Sequence, residues 1–141
     1  SNESLQTISK KNETVSKVSS EIKVYSEEDH LSDKPDDIVD LYNEIRGRIL
    51  SMGRIELIPR KRHILFKGER RFVNLNIRKS RINVGPVLKT GELNDPRGLA
   101  RNVSVEGKPG WGDYFLTIAP RDDLDYPMFL IEQAYRKNSE Q

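Results

Sequence analysis

The hydrophobic periodicity of the chain changes at Gly53, and this change constrains the fold more than any other feature. From residue 36 to residue 52 the apolar side chains recur at helical spacing, at Ile38, Leu41, Tyr42, Ile45, Ile49 and Met52. Asp36 and Asp37 begin this segment, where carboxylates favour the positive end of a helix dipole. Gly53 follows the last apolar position and is the expected C-cap. Beyond Gly53 the period is two, so we expect one amphipathic helix followed by a sheet.

Four short strands are predicted after Gly53, with turns between them. They are Ile55–Ile58, His63–Lys67, Arg71–Lys79 and Arg81–Leu88. Strict alternation along the third strand would place Arg71 and Arg78 on opposite faces of the sheet. Pro86 cannot donate to a strand ladder, so it predicts an edge position or a bulge in the fourth strand.

The C-terminal part of the chain predicts a fifth strand and a final helix. The strand runs from Asp113 to Ala119, and the helix begins near Asp122 or Asp123 with Pro127 in its first turn. The buried stripe of this helix is expected at Leu124, Met128, Ile131 and Tyr135.

Between the fourth and fifth strands, Asp95 and Pro96 predict the N-cap and first residue of a short helix. The short connections elsewhere favour antiparallel pairing. We therefore predict an α+β fold, a two-layer sandwich in which a five-stranded, mainly antiparallel meander sheet carries the N- and C-terminal helices on one face.

The first 24 residues are polar, and their few apolar residues follow no regular spacing. This composition predicts a disordered tail or linker over residues 1–24 and a single α+β domain over residues 25–138. Ser1 and Asn2 are typical of an expression scar, which would make the chain a fragment of a longer protein. A native flexible terminus is the alternative.

Composition excludes several classes of function. The absence of cysteine excludes disulfide scaffolds and zinc sites with sulfur ligands. No apolar run is long enough to span a membrane, and no signal peptide is visible, so we predict a cytoplasmic protein without membrane contact. The chain lacks a phosphate-binding loop, a dinucleotide fingerprint, a nucleophile elbow and a restriction-type metal motif. We accordingly predict no catalytic residue, no metal and no cofactor.

The two histidines are isolated in the sequence. His30, among acidic residues, is expected to cap a local turn or to form a surface contact. His63, beside Arg62 on a predicted strand, is either structural or part of a basic surface.

The small net charge of +2 conceals a strong asymmetry. Between Ser26 and Glu44 there are eight acidic residues and one lysine, a local charge of −7. Between Arg54 and Lys89 there are eleven basic residues and two acidic ones, a local charge of +9. The basic segment coincides with the predicted meander, so its charge is expected on the strand turns and on the sheet face away from the helices.

Our first hypothesis is a non-catalytic accessory module that binds DNA or RNA through this meander. The candidate phosphate contacts are Arg60, Lys61, Arg62, Lys67, Arg70, Arg71, Arg78, Lys79 and Arg81. The alternative is that the charge only solvates the strand edges and prevents aggregation. The exposed faces offer few aromatic side chains, which does not favour recognition of single strands by base stacking.

A second hypothesis is a protein-interaction module, in which the acidic segment or the charged sheet docks a partner domain or a second copy. A third is a small anionic ligand bound near the glycine-rich loop over residues 107–112. Its candidate residues are Arg97, Arg101, Trp111 and Asp113. The alternative for the two arginines is that they pair with nearby acids and hold the loop.

Several segments together resemble a known family, the domain of unknown function numbered 5655. They are Tyr25–Leu31, Glu92–Val103, Gly112–Tyr114, Asp123–Tyr126 and Ala134–Tyr135. The most specific of these is the run from Asp95 to Arg101, and the resemblance extends over about Tyr25 to Lys137.

The resemblance implies an accessory module without an established activity. Members of this family occur alone or as the C-terminal module of longer proteins that resemble restriction-endonuclease-like nucleases, some of them labelled predicted transport proteins. It thus implies a nuclease-like domain as a partner within a longer chain. This sequence has Lys108 and Pro109 where members carry a His-Trp pair, so no catalytic residue is carried over.

Overall fold

The computed structural model describes residues 23–107 and 110–140. Most of the predicted tail, residues 1–22, lies outside the described residues, as do Lys108 and Pro109. The helices are α1 (Glu27–Leu31), α2 (Asp36–Leu50) and α3 (Asp125–Lys137). The strands are β1 (Glu56–Pro59), β2 (Ile64–Lys67), β3 (Arg71–Ile77), β4 (Ile82–Pro86), β5 (Arg101–Asn102) and β6 (Tyr114–Ile118).

The predicted α+β fold is confirmed, with one more strand than expected. The sheet order is β1-β2-β3-β4-β6-β5, and every neighbouring pair is antiparallel. The additional strand, β5, has only two residues, and they pair with Phe115 and Tyr114 of β6. Two residues are too few to produce an alternating pattern in a sequence.

The apolar side chains of α2 and α3 meet one face of the sheet. The core combines Ile38, Tyr42 and Ile45 of α2 and Leu130, Ile131 and Ala134 of α3 with Ile64, Phe66, Leu75, Ile82, Val84, Leu116 and Ile118 of the sheet. The opposite side, here called the open face, carries Leu65, Asn74, Asn76, Asn83 and Gly85. The described part of the chain contains no helix with the length and hydrophobicity needed to cross a membrane.

A β-bulge at Phe72 changes the orientation of the start of β3. Phe66 pairs with Val73 and Lys67 pairs with Arg71, so Phe72 has no residue opposite it. Phe72 and Val73 are both buried in the core, and the Phe72 ring lies 5.1 Å from the ring of Tyr135 in α3. Arg71 is thereby directed to the open face. The expectation that Arg71 and Arg78 lie on opposite faces is wrong, because the bulge shifts the alternation by one residue.

Pro86 does not mark an edge strand, because β4 lies inside the sheet between β3 and β6. Pro86 is the last residue of β4, and the pairing of β4 with β6 already ends at Val84 and Leu116. The missing N–H therefore removes no bond from that ladder.

Two helix-boundary predictions are also wrong. Helix α2 ends at Leu50 with Ser51 as its C-cap, and Gly53 instead lies where a Cβ would stand 2.1 Å from the Tyr135 hydroxyl. No helix begins at Asp95, whose carboxylate accepts the backbone N–H groups of Leu99 and Ala100. Such local side-chain bonds offer the backbone an alternative to a helix.

Candidate functional site

The open face contains a groove of about 660 Å³ in which five of the predicted basic residues converge. Its floor includes Leu65 and Asn76, and the turn between β1 and β2 and the ring of Trp111 form its walls. The cations that line it are Arg60, Lys61, Arg62, Arg71 and Arg78. We call this site the basic groove.

Three hydrogen bonds fix the backbone of the β1–β2 turn above the groove. The Arg60 N–H donates to the His63 carbonyl at 2.8 Å, and the Asn76 side-chain amide donates to the Arg62 carbonyl at 2.7 Å. His30 Nε2 donates to the Arg60 carbonyl at 2.6 Å. Because the backbone is held from three sides, the charged side chains of the turn project from a fixed base.

His30 was expected to make a local cap or a surface contact, and that expectation is wrong. Its side chain is buried and reaches a carbonyl 30 residues away, while Ser26 and Asp29 form the cap of α1. This contact could not be predicted from the sequence, because a hydrogen bond between segments 30 residues apart leaves no periodic pattern in the chain.

Trp111 is held against the open face by the sheet backbone. The Asn74 side-chain amide donates to the Gly110 carbonyl at 3.0 Å, immediately before the tryptophan. A Cβ on Gly85 would stand 2.2 Å from Cε3 of Trp111, so only glycine permits the ring to lie this close. Gly112 follows with φ +82°, a conformation that favours glycine, and a Cβ there would stand 2.3 Å from the Pro86 carbonyl oxygen.

The groove contains an aromatic pair that the sequence analysis did not foresee. The rings of His63 and Trp111 lie 5.5 Å apart in an edge-to-face arrangement at 64°. Burial lowers the pKa of His63, and the neighbouring Arg60, His30 and Arg71 lower it further. At neutral pH the imidazole of His63 is therefore uncharged, although cations surround it.

The five groove cations are exposed and form no salt bridge with any carboxylate in residues 23–107 and 110–140. Elsewhere in the described chain, Arg46, Arg48 and Arg136 each pair with an acidic side chain. The residues lining the groove include no acidic side chain. Concentrating like charges without counter-charges is unfavourable in the free protein, and an anionic ligand removes that cost.

The other four predicted phosphate contacts lie outside the groove. Arg70 donates to the carbonyls of Glu140 (2.7 Å) and Lys137 (3.0 Å) at the end of α3, which is a structural contact. Lys79 and Arg81 lie with Asp33 around a separate depression at the β3–β4 turn, and Arg81 donates to the Asn83 side chain. Lys67 is exposed at the end of β2.

The four residues predicted to bind a small anion do not line one cavity. Arg97 stacks on the ring of Tyr126 at 4.5 Å, and Arg101 pairs with Glu106 at 3.2 Å. The Asp113 carboxylate accepts from the N–H and hydroxyl of Thr90. Of the four, Trp111 lines the basic groove, whereas Arg97 lines a separate cavity beside Pro127.

A second groove, of about 510 Å³, carries the opposite charge. It lies between α2 and the loop before α3 and includes two arginines, Arg48 and Arg121. Its carboxylates are those of Asp37, Asp40, Glu44, Asp122 and Asp123. We call it the acidic groove. Within the described residues, no group of three or more histidine, aspartate or glutamate side chains is arranged to hold a metal ion.

Comparison with known proteins identifies a relative without an assigned activity. A protein of Haemophilus influenzae, described as an uncharacterized protein, is 44% identical over 117 residues. The match covers 82% of this chain and 39% of that protein, so the chain spans well under half of the relative's length. No solved structure matches the chain.

A family model described as "Domain of unknown function (DUF5655)" matches residues 27–138. This range includes every helix and strand of the described residues and all five groove cations. The predicted resemblance is thereby confirmed, and the chain belongs to the DUF5655 family.

Proposed function

We propose that this domain is a non-catalytic module that binds nucleic acid through the basic groove. One observation carries the proposal: five exposed cations, without an ion-pair partner among the described residues, converge on a concave surface to which those residues contribute no acidic side chain. Phosphate contacts of this kind supply most of the affinity of non-specific nucleic-acid binding. The fixed backbone of the β1–β2 turn supports the proposal further, because it orients Arg60, Lys61 and Arg62 before a ligand arrives.

The test is a fluorescence anisotropy titration of labelled DNA and RNA with the full chain at several salt concentrations. The logarithm of affinity should fall with the logarithm of salt, with a slope of magnitude up to about 4.5 if all five cations contact duplex phosphates. Exchanging Arg62 and Arg78 for glutamate should reduce that magnitude by roughly two.

The control is the double variant Arg136→Glu, Arg48→Glu. It changes the net charge by the same amount as the groove variant, but at positions on α3 and α2. Both arginines already pair with carboxylates away from the groove. This control should leave the salt slope close to that of the unaltered protein. No binding at low salt, or equal loss in both double variants, would overturn the groove as the binding site.

We further propose that the module acts beside another domain in longer proteins, a nuclease-like domain being the partner that the resemblance implies. More than half of the Haemophilus influenzae relative lies outside the matched region, which leaves room for such a domain. A cytoplasmic location, expected from the sequence, remains a prediction.

The acidic groove favours a second candidate, self-association. The basic groove of one copy and the acidic groove of another are complementary in charge, and a contact between unlike surfaces joins copies head to tail. Sedimentation at low and high salt tests this candidate. Salt-sensitive oligomers that Asp40→Lys abolishes would support it, and a monomer at low salt would exclude it.

A further inference from the structure

We propose that the ligand of the basic groove is a single-stranded segment of nucleic acid, one of whose bases stacks on the ring of Trp111. This inference rests on the proposed nucleic-acid function and names the class of ligand. The observation behind it is the placement of an indole ring in the wall of a groove that five cations also line. Base stacking on aromatic side chains and phosphate contacts to a basic track are together typical of single-strand recognition.

Trp111 has the support that a stacking platform needs. Its ring rests on the backbone at Gly85, and the Asn74 amide anchors the preceding carbonyl. The side chain is only partly buried, so part of the ring remains accessible from the groove. A ring seated on backbone loses little conformational freedom when a base stacks on it.

The asparagines of the open face shape the groove. Asn74 and Asn76 donate to the Gly110 and Arg62 carbonyls, and Asn83 donates to the Asn76 side chain. The groups that face the ligand are therefore mainly guanidinium groups, an ammonium group and two rings. Such groups contact phosphates and the faces of bases, which nucleotides of every sequence offer. We therefore expect the affinity to depend little on the base sequence of the bound strand.

The dimensions suit a short strand. Arg71 is the first residue of β3 and Arg78 follows its last, so seven steps of about 3.3 Å, shortened by the bulge at Phe72, separate the two backbones by roughly 20 Å. That length corresponds to about four nucleotides, at the lower end of the range known for small single-strand binding modules. A duplex keeps its bases paired and stacked, so it offers phosphates to the cations but no base face to Trp111.

The chain contains one tryptophan, so tryptophan fluorescence, excited selectively over the tyrosines, reports on Trp111 alone. The probes are a thymidine octamer, an abasic octamer with the same phosphates, and a duplex of 16 base pairs, each titrated into the unaltered full chain. The thymidine octamer should quench the fluorescence and bind at least about tenfold more tightly than the abasic octamer. In anisotropy titrations of labelled octamers, which do not need the tryptophan, Trp111→Ala should reduce the affinity for the thymidine octamer to the abasic level, whereas Trp111→Phe should retain most of it.

The outcomes separate this inference from the function on which it rests. Equal affinities for the two octamers without quenching, together with salt-dependent binding that still needs Arg62 and Arg78, would overturn base stacking and leave nucleic-acid binding in place. Binding of none of the three probes at low salt would overturn both. The comparison of the two octamers uses the unaltered protein, so it does not depend on how the variants fold.

Discussion

The side chain absent at residue 85 determines where the single tryptophan of the chain lies. Gly85 sits within β4 and pairs with Asn74, and the indole of Trp111 occupies the space that a Cβ would fill. The Gly85 backbone has no positive φ, so the requirement for glycine is one of space alone.

We therefore expect Gly85→Ala to displace Trp111 from the wall of the basic groove. The tryptophan emission should shift to longer wavelength as the ring becomes solvated, and overpacking should lower the free energy of unfolding by about 1–3 kcal/mol. Emission spectra and urea unfolding curves measure the two effects. An unchanged emission maximum would contradict the expectation.

The matched control is Gly47→Ala, the same exchange on the exposed surface of α2. No atom lies within 4 Å of a Cβ added there. Alanine in a helix interior is favoured over glycine, so this variant should gain about 0.5–1 kcal/mol. The two exchanges should thus change stability in opposite directions.

For single residues, the sequence predicts which side chains are charged, but it does not predict where each side chain lies in the folded protein. The run Arg60–Arg62 predicted part of the basic groove because a turn of three charged residues between two strands must be exposed. The inclusion of Arg71 depends on the bulge at Phe72, and that of Trp111 depends on a loop lying over Gly85. In both cases a neighbouring feature of the fold, and not the residue type of Arg71 or Trp111, places the side chain in the groove.

Among the elements, those with a regular apolar repeat were predictable and the shortest were not. Helix α2 and strand β3 present enough turns or alternations to give a clear period. Helix α1 has five residues, too few for an apolar repeat, and its signal in the sequence is the capping box of Ser26 and Asp29 alone. The end of α3 has a partner distant in sequence: Arg70, in the turn between β2 and β3, donates to the carbonyl of Lys137, the last residue of α3, and to that of Glu140 beyond it.

Two adjacent arginines should consequently behave differently when each is replaced by glutamine. Arg70→Gln removes the guanidinium from the end of α3 and should lower the free energy of unfolding by about 1 kcal/mol, because the site is exposed. It should leave the affinity for nucleic acid nearly unchanged. Thermal unfolding and anisotropy titrations measure these quantities.

Arg71→Gln should give the reverse result. It removes one groove cation and should weaken binding and reduce the magnitude of the salt slope by about one, with little change in stability. The two variants have the same net charge, so a difference in binding reflects position. Equal binding by both variants would argue against Arg71 as a phosphate contact.

At the scale of the whole molecule, two carboxylates connect separate segments by hydrogen bonds. Glu27 connects α1 to α2, and Asp95 connects the loop between β4 and β5 to α3. Burial alone would raise the pKa of Glu27, but hydrogen bonds from Arg46 and Tyr42 of α2 bring that pKa below its usual 4.5. Burial also opposes ionisation of Asp95, but hydrogen bonds from Tyr126 of α3 and from the backbone of its own loop bring its pKa below 3.8. Both groups are therefore stabilised as anions in the folded state.

Stability should consequently be lost in acid. Because the folded state holds these two pKa values down, the unfolded state binds more protons once the pH falls below about 4.5. The stabilisation is present above that pH and is lost as the pH falls through the folded pKa values. Melting temperatures between pH 7 and pH 3 measure the loss.

The double variant Glu27→Gln, Asp95→Asn isolates this contribution. It should be less stable at pH 7 by roughly 1 kcal/mol for each site, since both carboxylates are partly exposed. Its melting temperature should fall less steeply below pH 4.5 than that of the unaltered protein. Parallel curves for the two proteins would show that other groups govern the acid transition.

The bulge at Phe72 has a consequence for how family members diverge. A member with one residue fewer at this point would regain strict alternation, and the arginine, now directly before the counterpart of Val73, would still be directed to the open face. Such a member would keep the groove cation but lose the buried ring of Phe72. A sequence alignment that places the gap at Arg71 instead of Phe72 would therefore misjudge which relatives retain this cation.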